Sequence, residues 1–316
     1  MARRGWTIDD APRLDGRRAV VTGASGGLGF ETALGLARRG AAVVLAARNP
    51  GKAEAARRRI AAAVPQAELR FAPLDLADLS SVTGFAEVLV ADGAAVDILV
   101  NNAGVMAYPT RRTTRDGHEE QFGTNYLGHF ALTARLMPAL LRAGRGARVV
   151  SLASLAHVQG RIALDDLQGE RHYDPWTAYR QSKLAMLIFA RALQARADAA
   201  GWPIRSVAAH PGWAVTDIIT NGPAEGRGGV KPALMNLAFR LLGQSAADGA
   251  LPILYAATAP DAAAGGYYGP TGRGERTGPV GPSRVMPQAR DDATARALWE
   301  ASERSTGARF ETETRA

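Results

Sequence analysis

The chain has 316 residues, 47% hydrophobic and 22% charged, which excludes a disordered polypeptide that cannot bury enough apolar surface to offset its ordering entropy. Zero cysteine excludes disulfide staples, thiolate nucleophiles and cysteine-held zinc or iron–sulfur centres. The excess of 38 Lys+Arg over 30 Asp+Glu gives a net charge of +8, but the basic residues are dispersed and the tightest run, Arg57-Arg58-Arg59, falls in an Ala-rich helical stretch, so nucleic acid is not an expected partner.

The first residues, MARRGWTIDDAP, turn polar and acidic at once and lack the apolar core of a signal peptide. Nor does any apolar run approach the roughly 18 residues of a membrane span, so a cytoplasmic location with no membrane span is expected. Arg18–Thr22 reads as a strand, followed by a Gly-rich turn and a helix from about Gly26 to Gly40. A second strand, Ala41–Ala47, precedes a helix over Lys52–Val64 that Pro65 ends. Further strands are predicted at Glu68–Ala72, Val96–Val100, Arg148–Ala153 and Ile204–Ala209. Helices are expected from about Leu79, over roughly Asp116–Arg142 and over roughly Trp176–Ala200. Mostly apolar strands alternating with helices imply a parallel sheet covered on both faces, and right-handed crossovers make a doubly wound α/β sheet the economical topology. With no internal repeat or linker, residues 1–316 read as a single domain: a core over approximately 15–210, and an extension over 211–316 that covers the substrate side. Within that extension, Pro232–Leu242 and Asp248–Ala257 look helical, whereas Gly265–Pro287 reads as irregular surface chain.

Chemistry-bearing residues cluster at the ends of these strands. Thr22-Gly23-Ala24-Ser25-Gly26-Gly27-Leu28-Gly29 lies between the first strand and first helix, where glycines let a pyrophosphate approach the backbone and the helix N-terminus. The second strand ends in Arg48, where an NAD-preferring site carries a carboxylate; a guanidinium suits a 2′-phosphate instead. Asn101-Asn102-Ala103-Gly104 ends the fourth strand and can let the backbone close over a cofactor. Asn125, a poor helix former inside a helical stretch, points to a function or a local kink. Tyr179 and Lys183 share a helix face, so the ammonium is expected to lower the phenol's pKa, and Ser154 beyond the fifth strand offers a hydroxyl for a substrate carbonyl. Only three lysines occur, Lys52, Lys183 and Lys231, so arginine serves wherever a surface charge suffices. The five histidines show no metal-ligand spacing, and no metal is expected.

These motifs resemble the short-chain dehydrogenase/reductase family: Thr22-Gly23 to Gly29, Asn101 to Gly104, and the pair Tyr179 and Lys183. The stretches VNNAGVMAYP, TNYLGHF, SLASLAH, AYRQSKLA and HPGWAVT are similar to its retinol-dehydrogenase-like branch, over about residues 15–220. The resemblance implies a Rossmann fold and an alcohol–carbonyl oxidoreductase with Tyr179 as general acid/base. Lys183 would tune Tyr179 and hold nicotinamide-ribose hydroxyls, Ser154 would orient the carbonyl, and Asn125 would support a water-linked relay. It further implies that Gly23, Ser25, Leu28 and Gly29 hold the pyrophosphate side, Asp75 and Leu76 the adenine, and Asn102, Ala103 and Gly104 the cofactor's flank. Pro211, Gly212 and Thr216 would meet the carboxamide. Two departures from the resemblance stand out: the first residues do not read as the apolar N-terminal anchor of many vertebrate retinol dehydrogenases, so a retinoid substrate and membrane residence are not expected, and the lack of cysteine argues against a protochlorophyllide reductase.

The expectation is an NADP(H)-dependent enzyme, NADP(H) favoured over NAD(H), acting on a small-molecule carbonyl or alcohol. Met106, Trp213, Met235, Leu237 and Phe239 suggest an apolar pocket. A homodimer or homotetramer fits families of this kind. The alternative, a non-catalytic NADP-binding or sensing protein, has no need of the full set Asn125, Ser154, Tyr179 and Lys183.

Overall fold

A computed structural model describes residues 5–144, 146–214 and 243–310. One sheet organises them: β1 (Arg18–Thr22), β2 (Ala42–Ala47), β3 (Leu69–Pro73), β4 (Ile98–Asn101), β5 (Ala147–Leu152), β6 (Ile204–Ala209), β7 (Tyr267–Pro270) and β8 (Val280–Pro282), in the order β3-β2-β1-β4-β5-β6-β7-β8. All neighbours pair in parallel except β7 with β8. The strand order reverses between β1 and β4, whose register sets Val21 opposite Val100. Just beyond that switch point the carboxyl ends of the strands diverge and leave room for a ligand.

The strands are apolar through and through because both faces are covered. On one side Val20, Val44 and Leu99 pack with the aromatic residues of the later helices; on the other Val21, Leu45 and Val100 pack with the first helix. Helix α1 (Gly27–Arg38) follows β1; α2 (Pro50–Ala63) starts where the Asn49 side chain accepts the Lys52 N–H at 2.9 Å, with Pro50 already in helical φ. Helix α3 (Leu79–Ala91) is capped by Asp78, which accepts the Ser80 and Ser81 N–H groups.

The long helix expected over Asp116–Arg142 begins only at Glu120 and is not continuous. It runs as α4 (Glu120–Phe122), a π-type turn (Gly123–Leu127), α5 (Gly128–Arg135) and α6 (Met137–Leu141). Glu119 sets the start by accepting the Gln121 and Phe122 N–H groups, and the wide turn centres on Asn125, where a kink had a sequence basis. The 26-residue α7 (Pro175–Ala200), which carries Tyr179 and Lys183, is capped by Asp174 and stopped by Gly201 in the left-handed region.

The tail is more ordered than its composition suggests. Helix α8 (Ala246–Thr258) forms with Pro252 inside it. Gly265–Pro287, read as irregular, contributes β7 and β8 to the sheet, because β6 has a free edge: Ala208 N–H finds the Gly266 carbonyl and His210 N–H the Tyr268 carbonyl, each at 2.9 Å. Helix α9 (Asp292–Thr306) then lays Trp299 on Phe130 and Phe189 of α5 and α7, with ring centroids 5.0 and 5.9 Å away. Thr216, Lys231, Met235, Leu237, Phe239 and the helix expected over Pro232–Leu242 lie outside the described residues. No helix among the described residues is long and apolar enough to cross a membrane.

Candidate active site

A cleft of about 350 Å³ opens at the β1/β4 switch point. Its floor is the turn after β1, where Gly23 has φ +68°, outside the range most side chains adopt. A Cβ on Gly29 would stand 2.3 Å from the Gly23 carbonyl oxygen and 2.6 Å from Asn102 Nδ2. Only hydrogen at that position lets the start of α1 sit against the strand ends. Ser25, Leu28 and Gly29 line the cleft at the N-terminus of α1, where unpaired N–H groups and the helix dipole favour an anion.

The wall above is knotted to the floor through Thr22. Its hydroxyl oxygen receives the Asn102 and Ala103 N–H groups, both at 2.9 Å, and the Asn102 side-chain amide donates to the Thr22 carbonyl at 2.7 Å. Ala103 and Gly104 complete this wall. At the far end Arg48, Asn49, Lys52, Asp75 and Leu76 line the cleft. Arg48 is two-thirds exposed and reaches to 3.9 Å from the Asp75 carboxylate. Lys52 was not singled out as a binding residue, although its rarity as a lysine was the available signal; position N3 of α2 turns it toward Arg48's end of the cleft.

Four further polar side chains from distant stretches do not line this cleft themselves but gather around Leu152, Val105 and Met106, which do. The Ser154 side chain acts on the Tyr179 phenol, favouring its ionised form, and Tyr179 packs with Met106, Ala107 and Trp176. Lys183 Nζ lies 5.9 Å from the centre of the Tyr179 ring and donates to the Leu152 carbonyl at 3.2 Å. Asn125 Oδ1 accepts the Val105 N–H at 2.7 Å; Nδ2 donates to the Val105 carbonyl and the Ser182 hydroxyl oxygen, each at 2.9 Å. Asn125 therefore braces the loop that follows the Asn102–Gly104 turn, and Ser182, which sequence reading passed over, ties it to α7 by donating to the Tyr179 carbonyl at 2.8 Å. The expected depression of the phenol's pKa is not seen: burial pushes Tyr179 up to about 12, with Ser154 pulling the other way. Burial likewise pushes Lys183 down to about 8. Both groups are withdrawn from water, and burial pushes each toward its uncharged form.

Pro211 and Gly212 sit beyond β6 but meet the tail. A Cβ on Gly212 would lie 2.2 Å from the Arg276 carbonyl, and the Arg276 guanidinium covers the Trp213 ring at 4.1 Å. Trp213 is thus occupied by the loop between β7 and β8, whereas Met106 stands beside the phenol.

A doubly wound sheet with a glycine cradle at its switch point, and a buried Tyr179 and Lys183 near the half-buried Ser154, is the architecture of a dinucleotide-dependent oxidoreductase. The chain matches the profile of the short chain dehydrogenases over residues 17–225 and belongs to that family, whose members use NAD(P)(H). It is 40% identical over 302 residues to mouse polyprenol dehydrogenase, covering 94% of this chain and 86% of that one. It is 39% identical to human retinol dehydrogenase 13, covering 96% and 88% of the two chains. A crystal structure of an uncharacterised protein from Mycobacterium paratuberculosis superimposes with a TM-score of 0.79 at 41% identity, over 98% of this chain and 100% of that one. These similarities set the chain in the retinol-dehydrogenase-like branch.

Proposed function

We propose that this protein is an NADP(H)-dependent oxidoreductase that interconverts an alcohol and a carbonyl on an apolar substrate, with Tyr179 as the proton donor and acceptor. The observation that carries the reading is the buried Tyr179 phenol, influenced by Ser154 and packed against Met106, a residue that also lines a cleft floored by the glycine cradle. The residues present fit a dinucleotide: the cradle excludes a Cβ at Gly29, and the Asn102 Oδ1 atom is buried with no partner among the described residues. Arg48 and Lys52 would hold a 2′-phosphate, Gly23, Ser25, Leu28 and Gly29 the pyrophosphate, and Asp75 and Leu76 the adenine. Asn102, Ala103 and Gly104 would flank the cofactor, with Pro211, Gly212 and Thr216 toward the carboxamide. Bound, the cofactor supplies or takes the hydride.

The protein's own contribution is placement and proton transfer. Ser154 holds the carbonyl oxygen of the substrate within reach of the phenol, and Tyr179 gives that oxygen its proton in reduction or removes it in oxidation. At neutral pH the phenol is protonated, which is the state reduction requires. Lys183, with its pKa near 8, remains largely charged there and offsets negative charge appearing on the phenol oxygen. Asn125 fixes the loop over Val105 and so the wall against which the reactants lie. The Met106, Ala107 and Trp176 surroundings of the phenol favour an apolar substrate, and the names of the relatives, polyprenol and retinol, both denote long apolar alcohols.

Tyr179→Phe tests the reading by NADPH oxidation against a panel of aliphatic and isoprenoid aldehydes and ketones. Removing a general acid lowers turnover by about 10²-fold or more. Full turnover in the variant overturns the role of Tyr179; NADPH binding by the native chain with no turnover on any carbonyl or alcohol favours the sensing alternative.

A further inference from the structure

Three of the five histidines are fully buried, and each sits in a stretch that carries the family resemblance: His129, His157 and His210. Each braces the backbone of a site segment. His157 Nδ1 lies 2.7 Å from the Ser154 carbonyl, and His210 Nδ1 accepts the Gly212 N–H at 3.1 Å. His129 goes further, because its two ring nitrogens touch two different parts of the site.

Nδ1 of His129 lies 2.8 Å from the Asn125 carbonyl oxygen, and Nε2 lies 2.9 Å from the Thr22 hydroxyl oxygen. A carbonyl oxygen only accepts, so Nδ1 must carry a hydrogen. Full burial disfavours the imidazolium, and the Lys183 charge adds to that, pushing the pKa down to about 3. A neutral ring with a protonated Nδ1 has a bare Nε2, which only accepts. The Thr22 hydroxyl must then donate to it rather than to the Val100 carbonyl at 3.2 Å, which would orphan a buried acceptor. The lone pairs of that oxygen are thereby left for the Asn102 and Ala103 N–H groups, which they receive. Every proton in the chain has a single consistent place.

We propose that His129 is a positioning residue: a neutral imidazole protonated on Nδ1 that locks the Asn125 carbonyl, through the Thr22 hydroxyl, to the Asn102–Ala103 turn. The wide turn of residues 123–127 is thus held in register with the cofactor-facing wall by one ring, one helical turn along from Asn125. The link between His129 and rate rests on the oxidoreductase reading above; the protonation pattern rests on the ring's contacts and its burial.

The test on the native chain is nitrogen-15 NMR of the histidine rings, with the His129 signals assigned by their loss in His129→Gln. A protonated Nδ1 and a bare Nε2, unchanged between about pH 6 and 9, are expected. The reverse tautomer, or titration in that range, overturns the proposal whatever the enzyme's activity. Kinetics give the second readout. Glutamine keeps one donor and one acceptor, so His129→Gln retains kcat within about threefold, whereas His129→Leu loses roughly tenfold or more, with NADPH affinity also weakened. A folded His129→Leu with native kcat and native NADPH affinity shows a merely structural histidine and sinks the positioning role. Should His129→Leu fail to fold, the tautomer measured on the native chain still decides.

Discussion

Replacing Gly29 by alanine sets two physical effects against each other. In an ordinary helix interior the change gains about 1 kcal/mol, because alanine loses less backbone freedom on folding. At Gly29 the new Cβ meets the Gly23 carbonyl oxygen at 2.3 Å, about 1 Å inside normal contact, and this obstacle is backbone that cannot swing aside. The turn has to open. Doing so strains a packed site by about 1–3 kcal/mol and stretches the 2.7 Å bond from Asn102 Nδ2 to the Thr22 carbonyl. Leaving those groups poorly paired costs a further 1–3 kcal/mol or so. After subtracting the propensity gain, Gly29→Ala is destabilising by about 1–5 kcal/mol. The matched control is Gly84→Ala in α3, where a Cβ has nothing within 4 Å and the propensity gain should appear undiminished. Urea denaturation of both variants, with NADPH fluorescence titration, reads the outcome. Equal stabilisation of the two refutes the close-approach argument. Destabilisation of Gly29→Ala without weaker NADPH binding refutes the claim that this turn is the cofactor's cradle.

Three further outcomes follow from the same geometry. Arg48→Ala and Lys52→Ala each reduce the preference for NADPH over NADH in kcat/KM by roughly 5–30-fold, less than a buried charge pair would give because Arg48 is largely exposed; an unchanged ratio in both removes the 2′-phosphate assignment. Lys183 has a pKa lowered by burial from 10.5 to about 8, so the unfolded chain binds more protons between those values and stability rises with pH across that window. Relative to Lys183→Met, the native chain should gain on the order of 3 kcal/mol from pH 8 to pH 10.5 in denaturant midpoints, and parallel curves contradict it. Trp299→Ala removes a ring packed on Phe130, Phe189 and Phe310 and costs about 3–5 kcal/mol in thermal or urea unfolding; a cost below about 1 kcal/mol means α9 is loosely attached.

The core of the fold was readable because strands buried on both faces leave long apolar runs, as in Ala42–Ala47, and because Gly40 and Pro65 mark helix ends. Strands β7 and β8 were not. They hold four and three residues with Gly269, Pro270, Gly281 and Pro282 among them, and their pairing is dictated by the open edge of β6 rather than by side-chain preference. The break in the long helix at residues 123–127 had only Asn125 as a local signal, since apolar periodicity does not register a single wide turn. For the site, glycine spacing and the Tyr179–Lys183 offset were local patterns. The Ser182 and His129 contacts were not, because each joins elements far apart in the chain: Asn125 to Ser182, and Thr22 to His129.

The opposite of the expected phenol shift says something about how the site works. Burial favours the uncharged form of both groups, the acid of Tyr179 and the free amine of Lys183, so in the chain alone each partner resists the charge that the proposed proton transfer requires. Separately, either charge is costly; together, a phenolate beside an ammonium is an ion pair whose attraction grows as water is excluded. The donation of Lys183 Nζ to the Leu152 carbonyl keeps the ammonium in place for that pairing. The same burial that raises the phenol therefore makes its ionised state depend on Lys183 more strongly than it would in water. On the role proposed for Tyr179, loss of Lys183 should accordingly impair oxidation, where the phenol would accept a proton, more than it impairs the folding of the segments around it.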